Sequence, residues 1–211
     1  MSRPPSPTSV EQRIRAKLRR ARGSETLTLV AATDFLAIGS RRAIDTALHR
    51  LAEQKVLQRL TRGLYFVPRV HPLLGNLHPT PDAIVAAMAA KHRIRVQPSG
   101  AYAANLLGLS DQVPLRIVLL TDGPARRIKV GKQEIVLTRT TPKNMASAGR
   151  LSGLIIQALR YLGKRYVDEA TVANLRKRLA PDDRAQLLND VPLAPTWIGQ
   201  VMRELAEGSA P

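Results

Sequence analysis

The stretch Arg41-Arg42-Ala43-Ile44-Asp45-Thr46-Ala47-Leu48-His49-Arg50 sets side chains able to read a nucleic acid against an apolar stripe. Ile44, Ala47, Leu48 and Leu51 fall at i, i+3, i+4 and i+7, so one side of a helix from Arg41 to Gln54 faces a core. The other side carries Arg41, Arg42, Asp45, Thr46, His49 and Arg50. In a major groove an arginine donates two parallel hydrogen bonds to guanine, and threonine offers a hydroxyl and a methyl. The same composition also suits a merely solvated helix face. What surrounds the helix decides between the two.

Before the helix, Gly39 is suited to close a preceding helix from a left-handed conformation, and Ser40 to cap the next one. After it, Val56, Leu57 and Leu60 lead into Thr61-Arg62-Gly63, and Leu64 to Val67 lead out. That pattern predicts a hairpin in which Gly63 takes the positive φ. Arg59 and Arg62 then stand at or near its tip, placed for phosphate or the minor groove. Upstream, Ser9 and Gln12 form a capping-box pattern for a helix to about Arg22, with Ile14 and Leu18 as its apolar stripe. Arg13, Arg15, Lys17, Arg19, Arg20 and Arg22 make that helix strongly basic, and Thr26 to Leu29 supply a third strand. Helix, strand, two short helices and a hairpin are the order of a winged helix-turn-helix, a binder of duplex DNA.

Charge and composition agree with a polyanionic partner. The chain has 211 residues, with 33 Lys/Arg against 16 Asp/Glu, a net charge of +17. Residues 1 to 70 hold 14 basic against 5 acidic residues, 71 to 150 hold 11 against 4, and 151 to 211 hold 8 against 7. The basic excess lies in the first two-thirds. Aromatic residues are only 3%, which argues against stacking on single-stranded bases. Cysteine is absent, so disulfides, thiolate metal sites and thiol catalysis are excluded. Met1 to Pro7 lacks an apolar leader core and no run approaches the roughly 20 apolar residues of a membrane span, so the expected location is cytoplasmic, with no membrane partner.

The expected organisation is α+β. It has a winged helix-turn-helix over 1–70, a Pro-, Gly- and His-rich linker over 71–80, and a mixed α/β domain with C-terminal helices over 81–211. Thr80-Pro81 opens a helix, Ile94 to Gln97 form a short strand, and Ser99-Gly100 starts a small-residue helix closed by Gly108. Leu115 to Leu120, Arg126 to Val130 and Gln133 to Arg139 read as a strand meander over 115–139, turning at Thr121-Asp122-Gly123-Pro124 and Gly131-Lys132. Helices follow over 150–206, at 151–162, 169–179, 182–189 and 196–206.

Within this region Pro98-Ser99-Gly100-Ala101-Tyr102-Ala103-Ala104-Asn105-Leu106-Leu107-Gly108-Leu109-Ser110, Gln112-Val113-Pro114 and Leu119-Leu120-Thr121-Asp122-Gly123 resemble the antitoxin region of AbiEi-type proteins. Arg62-Gly63-Leu64-Tyr65 is similar to the same family's winged-helix turn, and the resemblance spans Ser9 to Leu162. It implies the antitoxin of a bacterial type IV toxin-antitoxin system, from the abortive-infection group. Its first domain represses its own promoter, read as inverted repeats, and the remainder counteracts a nucleotidyltransferase-like toxin. The helices from Val167 onward match no motif of that family. A solitary regulator, or a protein-interaction module without a toxin partner, would share the architecture.

Catalysis finds little to build on. Glu53-Gln54-Lys55 matches the E-x-K half of a metal-dependent nuclease, but no companion aspartate lies on a nearby strand, and a polar helix end explains it. His49, His71, His78 and His92 show no metal-ligand spacing, and no phosphate-binding glycine loop occurs. No enzyme activity, metal or cofactor is therefore expected. The proposed DNA contacts are Ser40, Arg41, Arg42, Asp45, Thr46, His49, Arg50, Arg59, Thr61, Arg62, Arg13, Lys17 and Arg20. Arg126, Arg127, Lys129 and Lys132, with Arg116, Arg139 and Lys143 nearby, form a possible second basic surface for DNA or an acidic partner, or a solvated sheet face.

Overall fold

The computed structural model describes residues 9–21, 29–73 and 75–207. The chain is α+β and divides into two compact units, Met1–Lys91 and His92–Pro211.

In the first unit, α1 (Val10–Ala21) opens on the expected reciprocal cap. The Gln12 N–H donates to Ser9 Oγ at 3.2 Å, and the Ser9 N–H to Gln12 Oε1 at 3.0 Å. Arg22 and Thr26, Leu27 and Thr28 lie outside the described residues. A third strand is present as β1 (Leu29–Ala31), which shares only Leu29 with the expected Thr26–Leu29, and a single 3-10 turn over Ala32–Phe35 follows where a short helix was expected. Asp34 fixes that turn by accepting the Ala31 N–H at 2.7 Å. Then come α2 (Arg41–Glu53), β2 (Gln58–Thr61) and β3 (Leu64–Phe66). The three strands form an antiparallel sheet in the order β1-β3-β2, with β3 buried between its neighbours. The two expected stripes meet in the core, Ile14 and Leu18 of α1 against Ile44, Ala47, Leu48 and Leu51 of α2, and Phe35, Leu57, Tyr65 and Val67 join them.

Gly39 corrects an expectation. Its φ is not positive. A Cβ there would lie 2.9 Å from Val10 Cγ2, so glycine lets the chain pass close to the start of α1. The segment expected as linker is also structured: β4 (Arg69–His71) pairs antiparallel with β5 (Gly75–Leu77). Val70 and Leu73 of that hairpin are exposed, which is why no period marked it. After it, α3 (Pro81–His92) starts as expected, Thr80 Oγ1 accepting the Ala83 N–H at 3.3 Å. Since the two units part at Lys91/His92, nearly all of α3 belongs with the first.

The second unit contains β6 (Val96–Pro98), α4 (Gly100–Leu106), β7 (Arg116–Thr121), β8 (Arg126–Val130) and β9 (Gln133–Arg139). The last two strands have the expected bounds, but the expected meander is wrong. The sheet order is β6-β7-β9-β8, and β7 pairs with β9 in parallel, Arg116 opposite Glu134 and Thr121 opposite Arg139. Two physical reasons account for it. Ile135, Val136 and Leu137 are buried in succession, as a strand covered on both faces requires, whereas β8 alternates exposed and buried and suits an edge. The turn after β7 is also held elsewhere. The Asp122 carboxylate accepts the Arg95 N–H at 2.8 Å and Nε–H at 2.9 Å, while the Thr121 hydroxyl donates to the Arg95 carbonyl at 2.8 Å.

Helices α5 (Pro142–Met145), α6 (Leu151–Leu162), α7 (Glu169–Arg176), α8 (Pro181–Asp190) and α9 (Thr196–Glu207) complete the unit. Ile155, Ile156 and Leu159 of α6 share a core with Ala103, Leu107, Leu175, Leu187, Ile198 and Met202. At the start of α6, buried Asp190 accepts a short hydrogen bond from the Ser152 hydroxyl and pairs with Arg150 Nε at 3.2 Å. No described helix is long and apolar enough to cross a membrane.

Candidate nucleic-acid interface

Helix α2 is built to hold its polar face outward. Ser40 has extended backbone angles, and its hydroxyl accepts the Ala43 N–H at 3.4 Å, which caps the helix as expected. Ile44, Ala47, Leu48 and Leu51 are buried, and Arg41, Arg42, Asp45, Thr46, His49 and Arg50 are exposed. That face divides into two chemically different flanks. Along one, Arg41 Nε donates to Asp45 Oδ2 at 3.0 Å, and His49 Nε2 lies 3.4 Å from Glu53 Oε1. Along the other, Arg42 and Arg50 have no ion pair among the described residues. They line an open groove of about 440 Å³ with Ser9, Val10, Glu11, Ser40, Ala43, Thr46 and Ala47. The Thr46 hydroxyl donates to the Arg42 carbonyl at 2.9 Å, which leaves its oxygen lone pair and its methyl for an external contact.

Electrostatically α2 is built the wrong way round for stability. A helix N-terminus favours acidic side chains; the first turns of α1, α3, α7 and α8 carry Glu11, Asp82, Glu169, and Asp182 with Asp183, whereas those of α4, α5, α6 and α9 carry none. The first turn of α2 has no acid and begins with two arginines. Such a placement costs folding energy and suits a site that meets an external anion.

The β2–β3 turn carries Arg62 and Gly63, and Gly63 takes φ 69° as the tight turn requires. The ladder shifts register between Arg59 and Thr61. Arg59 Nε donates to the Thr61 carbonyl at 3.4 Å, so the Arg59 side chain runs along the turn, while the exposed Arg62 guanidinium has no partner among the described residues. Sequence reasoning missed Lys91: its Nζ donates to the Arg62 carbonyl at 2.6 Å, tying the end of α3 to the turn. No local signal announces a contact 29 residues away.

The basic residues of α1 are split. Arg13 Nη1 donates to the Ile38 carbonyl at 2.8 Å, and Lys17 Nζ to the Asp34 carbonyl at 2.7 Å while lying over the Phe35 ring. Both latch α1 onto the segment leading into α2. Arg15 is engaged with Glu11 and Gln54. Arg19 and Arg20 are exposed without partners among the described residues.

In the second unit, Arg127 and Lys129 share an exposed face of β8 and Lys132 stands exposed in the turn after it. Arg126 does not join them. It alternates to the side of buried Ile128 and Val130 and is itself half-buried, which removes it from the expected second surface. Arg116 is held 3.7 Å from Glu134, whereas Arg139 and Lys143 are exposed. The E-x-K segment ends α2, with Glu53 facing His49. Among the described residues no three His, Asp or Glu side chains group as metal ligands.

Residues 13–187 match the profile of a family of unknown function, DUF6088, and the chain belongs to that family. None of the curated proteins matches it. Among solved structures, the crystal structure of the RV2827C protein from Mycobacterium tuberculosis is similar at 20% identity, over 94% of this chain and 76% of that one, with a TM-score of 0.47.

Proposed function

We propose that Met1–Lys91 is a winged helix-turn-helix and that the protein is a non-enzymatic, sequence-specific repressor of its own promoter. The observation that carries the reading is α2. This capped helix buries one stripe and exposes Arg42, Thr46 and Arg50 on a groove, with its two leading arginines set against the helix dipole. The order α1, β1, 3-10 turn, α2, β2, β3, with β3 central in its sheet, supports it further. In this reading α2 enters a major groove, Arg41, Arg42 and Thr46 contact bases, and Arg62 on the wing neutralises phosphate. Arg13 and Lys17 orient α1 through the carbonyls they hold, and Arg20 remains for backbone contact.

A mobility shift on the DNA upstream of the gene, with random duplex as competitor, tests this directly. Arg42→Ala is expected to cost about 1–3 kcal/mol on the correct site and to relax base preference. Arg62→Ala should weaken all sequences alike and reduce the salt slope by about one. Salt-independent binding, or none, would make the unit a protein-interaction module instead. The resemblance of residues 98–123 extends the proposal to the antitoxin of a type IV system, acting in the cytoplasm on a nucleotidyltransferase-like toxin. Rescue of growth on co-expression with such a neighbouring gene product would support that extension, and unrelieved toxicity would leave a solitary regulator.

A further inference from the structure

We infer that Asp45 is a specificity-determining residue, holding the Arg41 guanidinium in the orientation that reads a guanine edge. The inference rests on the DNA-binding reading of α2 and assigns work within it. Arg41 Nε donates to Asp45 Oδ2 at 3.0 Å, one helical turn along, with both side chains about half exposed (52% and 51%). An engaged Nε edge leaves the two terminal nitrogens as the free fork, and that fork matches the O6/N7 pair of guanine.

The pair is not explained as a device for stability. Arginine in the first turn opposes the helix dipole, and an ion pair with the base N-terminal to the acid is the weaker of the two orientations on a helix. Exposed pairs of this kind contribute little to folding. What the carboxylate does supply is constraint: it removes rotamer freedom from a long side chain before binding. It also cancels the charge of Arg41. A neutral pair gains little from phosphate, wherever it lies on a duplex, and gains chiefly from an edge of matching donors and acceptors. Arg42 and Arg50, on the opposite flank, have no such partner among the described residues and keep their full charge. The helix face thus carries one arginine restrained and neutralised in advance, and on the other flank two that keep their charge and rotamer freedom.

Selection of bound duplexes from a randomised pool by the full-length protein tests the assignment. Wild type should enrich a guanine at a defined position, and Arg41→Ala should lose that preference. Asp45→Ala should weaken the same position on the order of tenfold and leave other positions intact. Arg41→Ala combined with Asp45→Ala should be no worse at that position than Arg41→Ala alone. Asp45→Glu, which keeps a carboxylate, should restore part of the preference, and Asp111→Ala controls for the simple loss of a negative charge. An Asp45→Ala protein that binds every duplex more tightly with unchanged base preference, as the control should, overturns the inference and leaves the DNA-binding proposal standing. A wild-type protein that enriches no sequence overturns both.

Discussion

Lys55 closes α2 in a conformation that glycine usually takes. Its φ is 57°, the Lys55 N–H reaches the Ala52 carbonyl at 3.0 Å, and the Val56 N–H reaches the Leu51 carbonyl at 2.9 Å. That pair of bonds is a Schellman motif. The left-handed backbone is costly for a residue with a Cβ, so Lys55→Gly should stabilise the protein by about 0.5–1 kcal/mol, read as a higher urea midpoint at unchanged slope. An unchanged or lower midpoint would mean that Lys55 contributes something its geometry does not reveal. At this scale the sequence was partly readable. Gly63, Ser40 and the Ser9–Gln12 cap announce themselves because each acts within three or four residues of itself. Gly39 misled because its constraint comes from Val10, on another element. Arg13, Lys17 and Lys91 could be recognised as basic, but their carbonyl partners lie 17 to 29 residues away, and nothing in a local pattern encodes them.

At the scale of elements, periodicity located most of the helices and the longer strands, missed the β4–β5 hairpin, and said little about how the strands pair. The bounds of β8 and β9 follow from alternation and from an unbroken apolar run. The parallel pairing of β7 with β9 does not, because the turn residues Thr121 and Asp122 are bonded to Arg95, 26 and 27 residues away, and no local pattern encodes that. The polar face of α2 was legible in full, and its cost makes a sharper prediction. Replacing Arg42 by Glu puts an acid in the first turn of α2, where Arg42 makes no ion pair among the described residues. Arg42→Glu should therefore raise thermal stability by about 0.3–1 kcal/mol at low salt while abolishing the proposed DNA binding. Gain on one axis and loss on the other would identify the arginine as retained for function. A loss of stability would show that Arg42 supports the fold.

For the molecule as a whole, charge sets two opposed responses to salt and one to acid. Met1–Lys91 carries 15 Lys/Arg against 6 Asp/Glu and His92–Pro211 carries 18 against 10, so each unit repels itself. Added salt screens that repulsion and should raise the melting temperature of the free protein. On the proposed DNA-binding reading the same salt competes with phosphate contacts, and the binding constant should fall with a log–log slope of about −0.9 for each phosphate neutralised. Acid acts through particular carboxylates. The hydrogen bonds from Arg95 hold Asp122 below the ordinary carboxylate range, and those from Thr171 do the same for Asp168 at the start of α7. A carboxyl lowered in the folded state stabilises fully above its unfolded value and loses that contribution as the pH falls through the lowered one. Near neutrality both are ionised and contribute, whereas in acid their protonation coincides with a growing net positive charge. Melting temperature should thus be flat near neutral pH and fall only in the acid range, and Asp122→Asn with Asp168→Asn should flatten that fall. If salt lowered the melting temperature and strengthened DNA binding together, the basic residues would have to be neutralised within the fold, contrary to the exposure of Arg42, Arg62, Arg127 and Lys129.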